Sequence, residues 1–335
     1  MKRYMKTKFA IGCLVQWYEV EIVEEYIASL EAAIEILGKP ESVIVDICWN
    51  LSQSLEKIDT DKISLHEIET KFAEMTSRIK NYTRVEETFY KDDKHPYTIA
   101  DYRREFNNDY CEEVDVLIWG ESDAILPKQM FVILDNLHQQ SLQNNNPKYL
   151  AFFGTCKMWD DSWKPIEHND FTDKLHSDSR DDWWSVNYTT NIEEMNAIND
   201  KVDELDVRIV SPHKFNGCGL VISSEVIKSG VNIPRSSFFI HEDTAFMFSL
   251  MRNFGDNVPQ YVFKNILLVH NRKHYNKRKY ILGEENVEDG DIGSARKLHM
   301  WYQRASEMSH YNVYNLFSQS KVYTWDDVFN GEGFN

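Results

Sequence analysis

The chain has 335 residues, 42% hydrophobic and 13% aromatic, enough to bury a large core as one α/β domain or as one domain with an appended piece. Its formal net charge of −17 repels nucleic acid and anionic membrane at long range, so a polyanionic partner would have to meet a local basic patch. No run approaches the roughly 18 apolar residues of a spanning helix, the first residues lack an export signal, and Cys13, Cys48, Cys111, Cys156 and Cys218 have neither disulfide arithmetic nor zinc spacing, all of which points to a cytoplasmic protein with reduced thiols.

Phe9 to Val15 reads as a strand and Gln16-Trp17-Tyr18 as the loop before a helix over about residues 19–37. There Val20, Val23, Ile27, Leu30, Ile34 and Leu37 recur at three- and four-residue steps, and Gly38 with Pro40 ends the helix. Val43 to Ile47 is the second strand. A β-α-β unit opening a chain predicts a parallel sheet with ligands at the carboxyl ends of its strands. Gln16, Trp17, Tyr18 and Asp46 fall on that edge, either to read a nucleobase and its ribose or to cover the sheet. Residues 52–95 are polar, with one helix over about 64–82, and read as an insertion.

A helix from Tyr97 to Tyr110 carries Arg103 and Arg104, cations that face either a diphosphate or solvent. Val116 to Trp119 is a short buried strand, after which Gly120 turns the chain into Glu121-Ser122-Asp123. Two carboxylates one residue apart on such a loop suit Mg²⁺ or Mn²⁺ carrying a substrate phosphate, and equally a solvated turn. A helix follows Pro127, and Tyr149 to Gly154 is another strand. The irregular stretch 156–206, with Trp159, Trp163, Trp183 and Trp184, is long enough for an acceptor-binding lid or a small subdomain.

Val207 to Ser211 is strand-like. Gly217 and Gly219, just before the apolar Leu220-Val221-Ile222, allow a ligand close to the backbone. Glu242 and Asp243 open a helix, where acids complement the dipole whatever else they do. Tyr261 to Val269 is a strand ending in His270, followed by the basic run Arg272 to Lys279. A helix over about 295–308 and an aromatic, polar tail complete the chain.

In this order the segments resemble a GT-A glycosyltransferase of the family 2-like group. The resemblance rests on five places: Phe9 to Leu37, with its strand, loop and helix; the Arg103-x-x-x-Asn107 helix and the strand ending in Glu121-Ser122-Asp123, at the place of an Asp-x-Asp motif; the glycine-rich Asn216 to Ser224; Glu242-Asp243 with its helix; and His270. It covers most of residues 9–271. It implies a GT-A (Rossmann-like) α/β fold, a mixed and mainly parallel sheet flanked by helices, over residues 1–291. The inserted helical segment would lie at about 52–95, the acceptor-side loop at about 156–206 and a C-terminal helical extension at 292–335.

The resemblance further implies a nucleotide-sugar donor, a UDP-sugar being favoured, held by Gln16, Trp17, Tyr18, Asp46, Arg103, Arg104, Gly217 and Gly219. Mn²⁺ or Mg²⁺ would be held by Asp123, Glu121 and His270. In an inverting reaction Asp243 would take the acceptor hydroxyl's proton and Glu242 would orient acceptor or base; a retaining enzyme would not need that base. Glu121 stands where the family has its first aspartate, and Gln16-Trp17-Tyr18 where it has Thr-Tyr-Asn. The acceptor is open among protein, glycan, small molecule and a hydroxymethylated DNA base. The last would suit a viral or phage enzyme and the 272–279 run, and is opposed by the net charge. Two other readings share the sheet: a sugar nucleotidyltransferase, whose glycine-rich phosphate loop is missing after the first strand, and a catalytically silent sugar- or nucleotide-binding module.

Overall fold

In a computed structural model the described residues are 7–20, 22–55, 57, 64–157, 185–186, 192–211, 213, 217–270, 300–318 and 321–330. Strand β1 (Phe9–Gln16) is apolar at nearly every position and buried on both sides, as a central strand of a parallel sheet must be. It pairs in parallel with β2 (Val43–Asn50) and with β4 (Val116–Trp119), and β2 pairs in parallel with the edge strand β3 (Arg84–Tyr90). Beyond β4 come β9 (Val221–Ser223), antiparallel to both neighbours, then β6 (Leu150–Lys157), β10 (Gln260–His270) and the short β5 (Ala124–Ile125). The path is β3-β2-β1-β4-β9-β6-β10-β5, with β7 (Ser185–Val186) on β6 and β8 (Val207–Ile209) on β10. This is the mixed, mainly parallel sheet that the sequence implied.

Alternation along the strands feeds two cores. Ile11, Cys13 and Val15 pack on one face with Ile27, Leu30 and Ile34 of α1 (Val23–Leu37), Phe72 of α2 (Leu65–Lys80) and Phe131 of α4 (Met130–Gln143). Ala10, Leu14, Leu117 and Trp119 pack on the other, under α3 (Ile99–Tyr110), α6 (Ser224–Lys228) and α7 (Glu242–Phe254). A third cluster joins β6 and β10 to Met195 of α5 (Ile192–Asn199). Local chemistry sets the helix ends. Gly38 closes α1 in the left-handed region, φ 65°, with its N–H on the Ile34 and Glu35 carbonyls. Ser64 with Glu67, and Thr98 with Asp101, form reciprocal caps on α2 and α3.

The structure departs from the sequence expectation in three places. Residues 52–95 supply, besides the expected helix α2, the edge strand β3, which extends the sheet. The charges of Arg84, Glu86 and Glu87 hide this strand, because an edge strand faces solvent and uses charge to block further pairing. Strand β2 runs on through Cys48 and Trp49 to Asn50. Finally, the C-terminal helices α8 (Met300–Tyr314) and α9 (Trp325–Phe329) are built into the molecule: Ala305 and Val328 bury Phe238 and Phe239 in a fourth cluster. Ser309 Oγ donates to the Ile240 carbonyl at 2.8 Å and accepts from its N–H at 3.3 Å.

His270 is described as the last backbone position of β10 only. Asn216, the four tryptophans of the 156–206 stretch and the basic run 272–279 lie outside the described residues. No described helix is long and apolar enough to cross a membrane.

Candidate active site

The carboxyl ends of β1, β2 and β4 open on a cleft of about 260 Å³. Strand β1 delivers Gln16, which caps a single helical turn: the Glu19 carboxylate accepts from the Gln16 N–H at 3.0 Å. Trp17 and Tyr18 line the cleft as well, but their rings are 2% and 3% exposed and meet edge to face at 5.3 Å. They are core supporting the cleft floor, with no open face on which a base would stack. Parallel register sets Asn50 of β2 beside Gln16. The Asn50 amide donates to the Tyr97 carbonyl at 3.0 Å and its oxygen accepts from the Ser52 N–H at 3.0 Å, fixing a turn that brings Ser52 and Ser54 to the cleft. Glu121, Ser122 and Asp123 enter from β4, and Phe239, Ile240 and Tyr302 of α8 form a facing wall.

Sequence reasoning missed Asn50, Ser52, Ser54, Tyr97 and Tyr302. Asn50 was recoverable: carrying β2 three residues further puts it at the strand edge in place of Asp46. Tyr302 was not, because only tertiary packing brings α8 to the cleft.

Asp46 lies mid-strand, opposite Gly12, on the face under α3 and away from the cleft. Its carboxylate accepts from the Tyr102 and Tyr110 hydroxyls at 2.6 and 2.7 Å. Burial holds its carboxyl above the usual range, against the pull of these two hydrogen bonds. It ties α3 to the sheet. Arg104, too, is a structural tie: it donates to the carbonyls of Ile233, Pro234 and Ser237 and pairs with Asp101.

Arg103 goes the other way. One helical position earlier, its side chain points into the molecule and is 1% exposed. Nη1 reaches Glu242 at 2.6 Å, Nη2 reaches Glu121 at 2.9 Å and the Gly217 carbonyl at 3.0 Å, and the guanidinium lies 4.8 Å from the Trp119 ring centre. Its Nε has no partner among the described residues. Asn107, one turn on, accepts from the Trp119 indole N–H at 2.9 Å, so the Arg-x-x-x-Asn spacing clamps one tryptophan from two positions. Burial works against the charge of Arg103, but the Glu242 and Glu121 carboxylates outweigh it and hold its pKa above the ordinary arginine value.

Glu242 and Asp243 differ in setting. Burial pushes the Glu242 carboxyl up, to about 7; Arg103 opposes this, and Asp243 and Glu121 add to it. Asp243 is half-buried, its Oδ1 accepting from the Thr244 N–H at 2.6 Å and facing the Thr244 hydroxyl at 3.3 Å. His241, just ahead, sits in the left-handed region at φ 64°, unusual for a non-glycine residue, with its ring against His310 and Tyr314 of α8. Helix α8 thus pins the head of α7.

Gly217 and Gly219 are required by the protein itself, without any ligand. A Cβ on Gly217 would stand 2.6 Å from Arg103 Nη1, and one on Gly219, at φ 68°, would stand 2.6 Å from Leu268 Cδ1.

Among the described residues no three metal-ligating side chains converge. Asp123 with Glu121, hard oxygen donors at the rim of a cleft large enough for phosphates and water, nonetheless fits Mg²⁺ or Mn²⁺, which is commonly held by one or two carboxylates and the substrate's own phosphates. One Glu121 oxygen is engaged by Arg103.

No family model matches the chain, and no curated protein matches it. Among solved structures it is similar to residues 1–349 of TarS from S. aureus, at 9% identity and a TM-score of 0.46 over 96% of this chain and 76% of that one. It is also similar to a UDP-glucose pyrophosphorylase complexed with UDP-glucose, at 9% identity and a TM-score of 0.36 over 78% and 90%. A third likeness is to core-mannan synthase A from Aspergillus fumigatus in its Mn/GDP form, at 11% identity and a TM-score of 0.27 over 77% and 67%. With all three TM-scores below 0.5, these are likenesses in the course of the chain and no more.

Proposed function

We propose that this protein is a cytoplasmic glycosyltransferase that moves a sugar from a nucleotide-diphosphate donor to a hydroxyl acceptor. The cleft is the observation that carries this reading. Beside β1 and β2 it is lined by Gln16, Ser54 and a turn whose Asn50 and Ser52 side chains are fixed by hydrogen bonds within the protein, a polar wall suited to a nucleoside, and beside β4 it is lined by Glu121 and Asp123, suited to a cation-bound diphosphate. The order of motifs along the chain supports the same assignment.

Asp123, assisted by Glu121 and with His270 as a further candidate at the end of β10, would hold Mn²⁺ or Mg²⁺. Bound there, the ion would offset the negative charge of the diphosphate and of the departing nucleoside diphosphate. Of the two acids at the head of α7, Glu242 is engaged by Arg103, so Asp243 is the base. With Oδ1 fixed by Thr244, its second oxygen takes the acceptor proton in an inverting transfer, and Glu242 orients that base. A UDP-sugar is the donor to try first. A hydroxymethylated DNA base belongs in the acceptor panel beside glycans, proteins and small molecules.

The test is a panel of nucleotide sugars with Mn²⁺ or Mg²⁺, assayed for released nucleoside diphosphate. Turnover of one donor by the native chain and its loss in Asp123→Ala supports the assignment. Formation of nucleoside triphosphate and sugar 1-phosphate from a nucleotide sugar once pyrophosphate is added, with no nucleoside diphosphate released, would replace it with a nucleotidyltransferase, and binding without turnover of any donor would leave a silent binding module.

A further inference from the structure

We propose that Arg103 is a positioning residue, a brace that ties the acidic loop after β4 to the head of α7, so that the donor side and the acceptor side of the site are held in one geometry. The inference rests on the transferase reading above and adds a role which that reading does not assign.

The geometry is specific to one guanidinium. Glu121 is fixed through Nη2 at 2.9 Å and Glu242 through Nη1 at 2.6 Å, and the Gly217 carbonyl shares Nη2 at 3.0 Å, so three separate chain segments converge on one planar group. Trp119 backs its plane, and Asn107 holds Trp119 in turn. Gly217 has no room for a side chain, since Nη1 occupies the position beside its missing Cβ. A lysine would keep the charge but cannot reach both carboxylates at once in a fixed fork. Arg103 is also too deeply buried to be the diphosphate contact suggested by the sequence. Its effect on the reaction runs through the neighbours it fixes, Glu121 beside Asp123 and Glu242 beside Asp243.

The experiment compares the native chain with Arg103→Lys, and with Glu121→Gln, Glu242→Gln and their double variant, by steady-state kinetics on the donor turned over by the native chain. Arg103→Lys should lower kcat about a hundredfold, the scale of an ångström-level misplacement, with donor KM within about threefold of native. The two glutamine substitutions should be non-additive, because each cuts the same brace. An unchanged kcat, an effect confined to donor KM, or strict additivity would overturn the proposal. Hydrogen exchange gives a readout independent of turnover: Arg103→Lys should speed exchange at residues 217–223 and at 242–246 together. Protection unchanged at either segment would overturn the brace even if the protein proved to transfer no sugar, and faster exchange at both in an inactive protein would support the brace while the transferase reading fell.

Discussion

Two acid pairs face each other across Arg103, and they are built alike. In Glu121-Ser122-Asp123 and in Glu242-Asp243 the glutamate reaches inward to the guanidinium, at 2.9 and 2.6 Å, while the aspartate stays half-buried and makes no bond to it. The longer side chain spans the gap to the brace; the shorter one remains at the loop or helix head. What the pairing teaches is a division of labour. Both glutamates are tied to the guanidinium, and under the transferase reading proposed above the aspartates would carry the larger share of cation binding and proton transfer, with Glu121 and Glu242 assisting.

The largest expected effect breaks or upholds that division directly. Asp123→Ala and Asp243→Asn should each lower turnover by about 10³-fold or more, within the range of a lost general base or charge stabiliser, whereas Glu121→Gln and Glu242→Gln should stop near 10². Equal losses in all four, measured by nucleoside diphosphate release, would erase the distinction. Next comes Gly217→Ala. Its new Cβ would meet Arg103 Nη1 at 2.6 Å and must push the guanidinium off both glutamates, so kcat should fall at least tenfold while thermal unfolding stays cooperative. Native turnover in this variant would mean the brace is dispensable.

A smaller effect separates the pairs by pH. The folded pKa of Glu242, about 7, lies above its ordinary value of 4.5, so folding favours the protonated form. That contribution is fully present below about pH 4.5 and is lost as pH rises through 7, on the order of 3 kcal/mol in all. Urea unfolding of Glu242→Gln should therefore show a flatter stability profile between pH 4.5 and 7 than the native chain; parallel profiles would count against a buried, proton-sharing Glu242. The smallest effect concerns Asp46. Asp46→Asn keeps one acceptor for the two tyrosine hydroxyls, so stability should drop by about 1 kcal/mol with donor KM unchanged. A several-fold rise in donor KM would return Asp46 to the binding site.

Much of the sheet was legible because buried parallel strands are nearly continuous apolar runs: β1, β4 and β10 stand in the sequence almost at their observed bounds. Edge strand β3 was not, since its outer position favours charge over apolar pattern. At the site, spacing along the chain located the acidic loop and the Glu242-Asp243 helix head. It did not reveal partners. Arg103 and Arg104 are indistinguishable as neighbours in sequence, yet about 100° of helical rotation sends one into the core and the other onto backbone carbonyls of the 233–237 loop. At Gly217 and Gly219, where the sequence suggests a ligand close to the backbone, the groups that a Cβ would meet are Arg103 and Leu268.

The most direct measurement is calorimetric titration of UDP and GDP, with and without Mn²⁺, into the native chain and Asp123→Ala. The account predicts that one nucleoside diphosphate binds the native chain in a Mn²⁺-dependent way and that Asp123→Ala loses that dependence. Absence of binding by the native chain, or equal binding by the variant, would contradict a cleft built for a nucleotide-sugar donor.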